Sequence, residues 1–180
     1  MNLDTVVVRD AHDSDIPTIR AIYAHHVLHG LASFEEEAPD EAEMRRRFHS
    51  YRDAGFPYLA AELGGDLVGY AYAGQYRPRP GYRYSAEDSV YVREGMAGKG
   101  IGRALLSALL TRCTEAGFRQ MIAIIGDSAN HGSIGLHKAL GFERVGTIRS
   151  VGFKHGRWVD SVLMQRALGE GDETLPSPRC

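Results

Sequence analysis

SAEDSVYVREGMAGKGIGRALLSALL, residues 85–110, is the stretch on which the reading of this chain turns. Its first eight residues end in the β-branched and aromatic run Val90-Tyr91-Val92 and predict a strand. A short loop follows, then Gly98, Gly100 and Gly102 packed around Lys99, Ile101 and Arg103. Beyond them Leu105, Leu106, Leu109 and Leu110 recur at helical spacing, so residues 104–117 predict a helix. The first amides of a helix have no intrahelical partner and sit at the positive end of the macrodipole, so a phosphate docked there meets donors already aimed. Glycines let the backbone come close to such a ligand. A Walker A loop does not fit, because Arg93 stands where its first glycine belongs and Gly100 where its hydroxyl residue belongs. A dinucleotide fingerprint does not fit either: the spacing is G-x-G-x-G, and antiparallel strands are expected before it. A glycine-rich turn that merely joins strand to helix is the remaining alternative.

Working outward, residues 57–63 and 66–74 alternate as strands around Gly64-Gly65, a pair suited to a tight hairpin. Residues 77–83, with two prolines and three arginines, predict a loop. Upstream lie a strand over 5–9 and a helix whose cap is Asp13 or Ser14. Ile16, Ile19, Ile22, Tyr23 and Val27 form the apolar stripe of that helix, and Gly30 ends it. A second helix starts after Pro39, with Asp40 and Glu43 spaced as a capping box and Met44, Phe48 and Tyr51 facing inward. Downstream are a strand over 121–126, a short helix over 133–141, and strands over 143–152 and 158–168. This order predicts one mixed α/β domain over residues 1–168, with helices on a central sheet. The polar stretch 169–180 reads as a flexible tail.

An apolar share of 43% over 180 residues suffices for one core. Lysine and arginine total 21 against 23 acidic residues, a net charge of -2 that gives no electrostatic reason to expect nucleic acid or an anionic membrane as partner. Cys113 and Cys180 form neither a disulfide framework nor a metal-ligand spacing, and no bound metal is expected. Cys113, amid apolar helix positions, reads as an inert buried thiol, and His25-His26 as surface residues. With no expected secretory signal or membrane span, a cytoplasmic protein is the expectation.

The glycine-rich turn resembles that of the GNAT acetyltransferases, whose Q/R-x-x-G-x-G/A motif corresponds to Ala97-Gly98-Lys99-Gly100-Ile101-Gly102. Ala97 departs from the usual arginine or glutamine. The resemblance extends from about residue 5 to 167. It is nearest to the phosphinothricin and methionine sulfoximine acetyltransferases, through SFEEE (33–37), AEDSVYV (86–92), IIGDSANHGSIGLHKALGF (124–142) and GTIRSVGFKHGRWVD (146–160). It implies a GNAT fold: a mixed, mostly antiparallel sheet with splayed middle strands and helices on both faces.

The resemblance further implies an acetyl-CoA-dependent N-acetyltransferase acting on a small amino-acid-like amine in a ternary complex. Acetyl-CoA would be held by Val90, Tyr91, Val92, Gly98, Lys99, Gly100, Ile101, Gly102, Arg103, Asn130 and Ser133. A carboxylate must take the amine's proton. Glu87 matches the family's catalytic glutamate, and its neighbour Asp88 is the rival, since adjacent strand residues face opposite sides unless a bulge intervenes. His137, four residues after Ser133, is either the acid that protonates the departing thiolate or a buried structural histidine. A backbone N–H, that of Val92 foremost, is expected at the carbonyl oxygen. Phe34, Arg77, Arg79, Lys154 and Trp158 are the implied substrate residues, and a homodimer is the implied assembly. Two other readings stay open: a GNAT enzyme for a polyamine or protein N-terminus, with Glu35-Glu36-Glu37 serving a polyamine, and a non-catalytic acyl-CoA sensor.

Overall fold

The computed structural model describes residues 5–178; Met1 to Asp4, which open the expected N-terminal segment, and Arg179 and Cys180 of the expected tail lie outside them. The elements are β1 (Val7–Asp10), α1 (Ile16–His29), α2 (Glu41–Asp53), β2 (Tyr58–Leu63), β3 (Asp66–Gln75), β4 (Ser85–Val92), α3 (Ile101–Glu115), β5 (Gln120–Gly126), α4 (His131–Ala139), β6 (Glu143–Lys154) and β7 (Arg157–Ala167). The strands form one sheet in the order β1-β2-β3-β4-β5-β7-β6. β4 and β5 run parallel, joined through α3, and the other neighbouring pairs are antiparallel.

The helix starts are set by specific side chains. Asp40 accepts from the Glu43 amide at 2.8 Å and caps α2, as its spacing predicts. The Glu43 carboxylate, however, pairs with Arg46 and Arg47 rather than closing the box. At α1 a 3-10 turn over Asp13–Asp15 precedes the helix, and the Asp15 carboxylate is held by Arg9 at 2.7 and 2.9 Å. Gly30 ends α1 with an extended φ of -110°, so positive φ is not its reason. A Cβ there would lie 2.8 Å from the His26 carbonyl oxygen.

The two faces of the sheet carry different side chains. Toward α3 the strands present Ala61, Ala71, Ala73 and Ala86, and α3 lays Leu105, Leu106, Leu109 and Cys113 against them. Small residues let that helix come close: a Cβ on Gly69 would stand 3.0 Å from Ile101 and 3.1 Å from Leu105. Toward α1 and α2 the strands present tyrosines. Tyr58, Tyr70, Tyr72 and Tyr91 stack with centroid separations of 5.0 to 6.3 Å, and Ile19, Tyr23, Met44 and Phe48 pack on that side. Each fully buried leucine on α3 contributes roughly 1.5–3 kcal/mol.

The sheet is not continuous along its length. β4 and β5 pair only from Ser85↔Gln120 to Glu87↔Ile122. Beyond that point β4 stays on β3 up to Val92↔Gly69, while β5 stays on β7 up to Gly126↔Ser161. The two halves therefore part in a wedge whose apex is at Glu87. At the far end of the chain, Arg119 donates to the Gly171 carbonyl and the Thr174 hydroxyl, drawing those residues back onto the start of β5.

Candidate active site

The wedge exposes backbone groups that a regular sheet would pair. Arg93 donates its N–H to the Val68 carbonyl at 2.8 Å. Since antiparallel pairing alternates, the N–H groups of Val90 and Val92 point away from β3, into the gap that β5 has left. These are donors at the place where the resemblance expects a carbonyl oxygen.

No register shift interrupts the β3–β4 pairing, so Glu87 and Asp88 face opposite sides. Glu87 lies across from Gly74, and a Cβ at Gly74 would meet the Tyr51 ring at 2.9 Å. Its carboxylate is half-buried and has no hydrogen-bond partner among the described residues. Burial, reinforced by the nearby Asp88 charge, pushes its pKa up to about 7. Asp88 turns toward α4 instead, where its Oδ2 stands 2.9 Å from His137 Nε2.

His137 is 3% exposed, and its Nδ1 stands 2.7 Å from the Ser133 carbonyl oxygen. A carbonyl oxygen and a carboxylate both accept, so this pair of partners favours the protonated ring. Burial pulls the histidine pKa down, but the Asp88 hydrogen bond and charge and the Ser133 carbonyl outweigh it, for a net rise. Asn130 caps α4 by accepting from the Ser133 amide at 3.2 Å.

From the wedge a cleft of about 690 Å³ runs to the start of α3, lined among others by His26, Leu31, Val92, Gly98, Arg103 and Asn130. Gly98 and Gly100 have φ of +78° and +79°, and a Cβ on either would meet nothing within 4 Å. Their role is conformational and concerns access: positive φ makes the left-handed turn, and the space beside both glycines is open. Ile101 and Gly102 open α3 at the same place. Positive-φ glycines before a helix N-terminus, joined by an open cleft to unpaired strand amides, fit a diphosphate with a long amide-bearing arm. Coenzyme A has that shape. Ala97 and Arg103 line the cleft, whereas Lys99, although exposed, is not among its lining residues.

The expected substrate residues fall into two groups. Arg77 lies over the rings of Tyr76 and Tyr82 at 5.3 and 5.9 Å, and Arg79 precedes the 3-10 turn Pro80–Tyr82, both in the loop leading into β4. Phe34, Lys154 and Trp158 belong to the second group. The Phe34 ring packs against Gly152, where a Cβ would lie 2.6 Å away, and Trp158 packs on Phe153 at 5.2 Å while staying 66% exposed. Lys154 is 2% exposed and donates to the Ser33 carbonyl at 2.6 Å. Burial lowers its pKa against the pull of Glu36 and Glu35. No hydrogen bond or ring contact joins the two groups among the described residues.

His26, expected at the surface, instead lines the cleft, and its Nε2 stands 2.8 Å from the Val92 carbonyl oxygen. Periodicity could not find it, because its partner is a backbone atom sixty-six residues away. Among the described residues no group of three or more histidine, cysteine or acidic side chains could hold a metal ion.

A family model described as the acetyltransferase (GNAT) domain matches residues 8–163. The chain belongs to the GNAT acetyltransferases. The phosphinothricin N-acetyltransferase of Alcaligenes faecalis is 57% identical over 169 residues, covering 94% of this chain and 86% of that protein. The L-methionine sulfoximine/L-methionine sulfone acetyltransferase of Pseudomonas paraeruginosa is 42% identical, covering 95% of this chain and 98% of that one. A crystal structure of a GNAT phosphinothricin acetyltransferase from Sinorhizobium meliloti, in complex with AcCoA, superposes with a TM-score of 0.93 at 50% identity. That match covers 96% of this chain and 94% of the other. The splayed strands and glycine-rich turn described above are thus the GNAT architecture that the sequence resemblance predicts.

Proposed function

We propose that this GNAT chain transfers the acetyl group of acetyl-CoA directly to the amine of a small amino-acid-like substrate of the phosphinothricin or methionine sulfoximine type. The observation that carries the reading is the Glu87 carboxylate: half-buried, without a protein partner among the described residues, at the apex of the wedge, with its pKa raised to about 7. Such a group takes a proton from an ammonium near neutral pH and is not neutralised by a neighbouring cation. The positive-φ turn at Gly98 and Gly100 and the start of α3 hold the diphosphate end, and bound acetyl-CoA supplies the activated acyl group.

Glu87 receives the amine proton, and the amine attacks the thioester carbon. The Val92 N–H, fixed by the β3–β4 ladder, donates to the carbonyl oxygen without reorganising as charge grows there. The departing thiolate takes the proton that the attacking nitrogen sheds as the amide forms, while His137, both of whose ring nitrogens are engaged, braces the wall beside the gap. Cys113, on the buried face of α3, is closed off as a nucleophile, so the transfer is read as direct, without an acetyl-enzyme. For the acceptor's carboxylate and second polar group we assign Arg77, Arg79 and Trp158, with Phe34 as an apolar wall, although none of the four lines the cleft described above.

A polyamine acceptor is less well served, since Glu35 is engaged by Arg47 at 2.7 Å and by the Tyr23 hydroxyl at 2.7 Å. We further read the chain as a cytoplasmic homodimer. The exposed apolar residues Val145, Ile148, Val151, Phe153 and Trp158, on the sheet-edge strand β6 and its hairpin, support the second copy. Thiol release from acetyl-CoA is the test of the acceptor. Phosphinothricin, methionine sulfoximine or methionine sulfone should support turnover, and spermidine and a peptide should not. Release with none of them would favour a sensor and overturn the enzyme reading.

A further inference from the structure

The parting of β4 from β5 has a definite first residue. The last paired position is Glu87↔Ile122, and Asp88 is the next residue on β4. There the backbone bridge between the two halves of the sheet stops and a side-chain bridge takes over: Asp88 Oδ2 to His137 Nε2 at 2.9 Å, then His137 Nδ1 to the Ser133 carbonyl at 2.7 Å. Side-chain exposures of 2% for Asp88 and 4% for His137 shut this chain of bonds away from solvent. Phe142 packs edge-on against the imidazole at 4.9 Å and leaves it little freedom to turn. The bridge ends on the first turn of α4, whose Asn130 and Ser133 form one wall of the cleft, while Val90 and Val92 form the other.

We infer that Asp88 is a positioning residue for the donor substrate: through His137 it fixes the separation between β4 and α4, and so the width of the slot that receives the pantetheine arm. The inference rests on the acetyl-CoA reading above and concerns the arm alone, not the nucleotide. The loop from Gly98 to Gly102 carries none of the bridge residues and meets α4 only through Gly102, where a Cβ would stand 3.2 Å from Leu136. The second oxygen of Asp88, Oδ1, is buried without a protein partner among the described residues, and Asp88 borders a small cavity of about 60 Å³ shared with Val90, Ala123, Asn130 and Ser133. A side chain that served packing alone would not leave a buried polar oxygen unpartnered beside that cavity.

Calorimetry with two ligands separates this role from a general structural one. Acetyl-CoA reports nucleotide and arm together, and 3′-phospho-ADP reports the nucleotide and diphosphate alone. Asp88→Ala should weaken acetyl-CoA binding about tenfold while leaving 3′-phospho-ADP within about twofold of the unaltered protein. Asp88→Asn retains an acceptor for the His137 Nε2–H and should recover most of the lost affinity. Equal losses for both ligands would mean that the pair only holds the fold, and unchanged acetyl-CoA binding in Asp88→Ala would mean that it positions nothing. Either result overturns the inference. Failure of the unaltered protein to bind either ligand would overturn it by removing the acetyl-CoA reading beneath it.

Discussion

Lys154 Nζ donates to the carbonyl oxygen of Ser33 at 2.6 Å, and this contact ties the β6–β7 hairpin to the loop between α1 and α2. That loop is also held from the other side, because Tyr23 bonds the Ser33 hydroxyl at 3.0 Å and Arg47 pairs with Glu35. Between these anchors the Phe34 ring lies on Gly152. With its ammonium engaged and buried, Lys154 is predicted to act on an acceptor only by placing the loop that carries Phe34. Lys154→Met should raise KM for the amino-acid acceptor about tenfold, or ~1.4 kcal/mol, and leave KM for acetyl-CoA within about twofold. Steady-state kinetics with each substrate varied in turn is the check, and an unchanged acceptor KM would refute the role.

The pH dependence of kcat/KM follows from Glu87. Its carboxyl is held up to about 7 by burial and by Asp88, so it is protonated and idle as a base below that value. Activity should rise with pH through about 7, and Glu87→Gln should abolish that limb together with most of kcat. The stability effect has the opposite sign. A raised carboxyl pKa means that the folded state binds the proton more tightly than the unfolded chain, so stability declines as pH climbs from the ordinary carboxylate range through about 7. Glu87→Gln should therefore be the more stable protein at about pH 8, by on the order of 2 kcal/mol after allowance for partial exposure. Denaturant titrations of both proteins at about pH 5 and pH 8, either side of that titration, would show whether the gap opens as pH rises.

Periodicity and turn chemistry located every helix and strand in the right order, because those signals are local. Gly64-Gly65 turn with φ of +63° and +91°, and Asp40 caps α2 at its predicted spacing. Alternation likewise separated Glu87 from Asp88, since no bulge intervenes in β4. What stayed hidden depends on partners distant in the chain. The sequence places Asp88 on the face opposite Glu87 but does not show that His137, forty-nine residues on, meets it there. In the sequence His26 looks like any helix histidine, yet its ring meets the Val92 carbonyl, and Lys154 looks like a free cation, yet Ser33 covers it. The start of α1 differs from its expected cap for the same reason: Arg9, from β1, holds the Asp15 carboxylate on the 3-10 turn ahead of the helix.

Gly100 tests the phosphate cradle. At φ +79° it holds the left-handed turn at the cap of α3, in open space, so alanine there meets a backbone penalty and no clash. The penalty is about 1–2 kcal/mol, which for a domain of this size lowers Tm by roughly 2–8 °C. On the proposed reading, the added methyl also projects where the diphosphate would dock. Gly100→Ala should raise KM for acetyl-CoA at least about fivefold, or ~1 kcal/mol, with acceptor KM unchanged. If acetyl-CoA saturates the variant as it does the original, the loop is not the diphosphate site.

Gly126, which lines the cleft, and Gly135 of α4 should respond to the same substitution with opposite signs. Gly126 closes β5 beneath the loop from α1, and a Cβ there would lie 2.2 Å from the Leu31 carbonyl oxygen. Backbone cannot yield as a flexible side chain does, so Gly126→Ala must push the loop outward or bend β5. A loss of about 2 kcal/mol or more is expected, with a raised acceptor KM as Phe34 shifts. Gly135 lies within α4, and a methyl added there would meet nothing within 4 Å. There alanine removes only backbone freedom from the unfolded chain, and Gly135→Ala should stabilise by about 0.5–1 kcal/mol. Thermal melts of the two single variants decide the matter: a Gly126→Ala protein as stable as the original would show that the loop does not rest on β5.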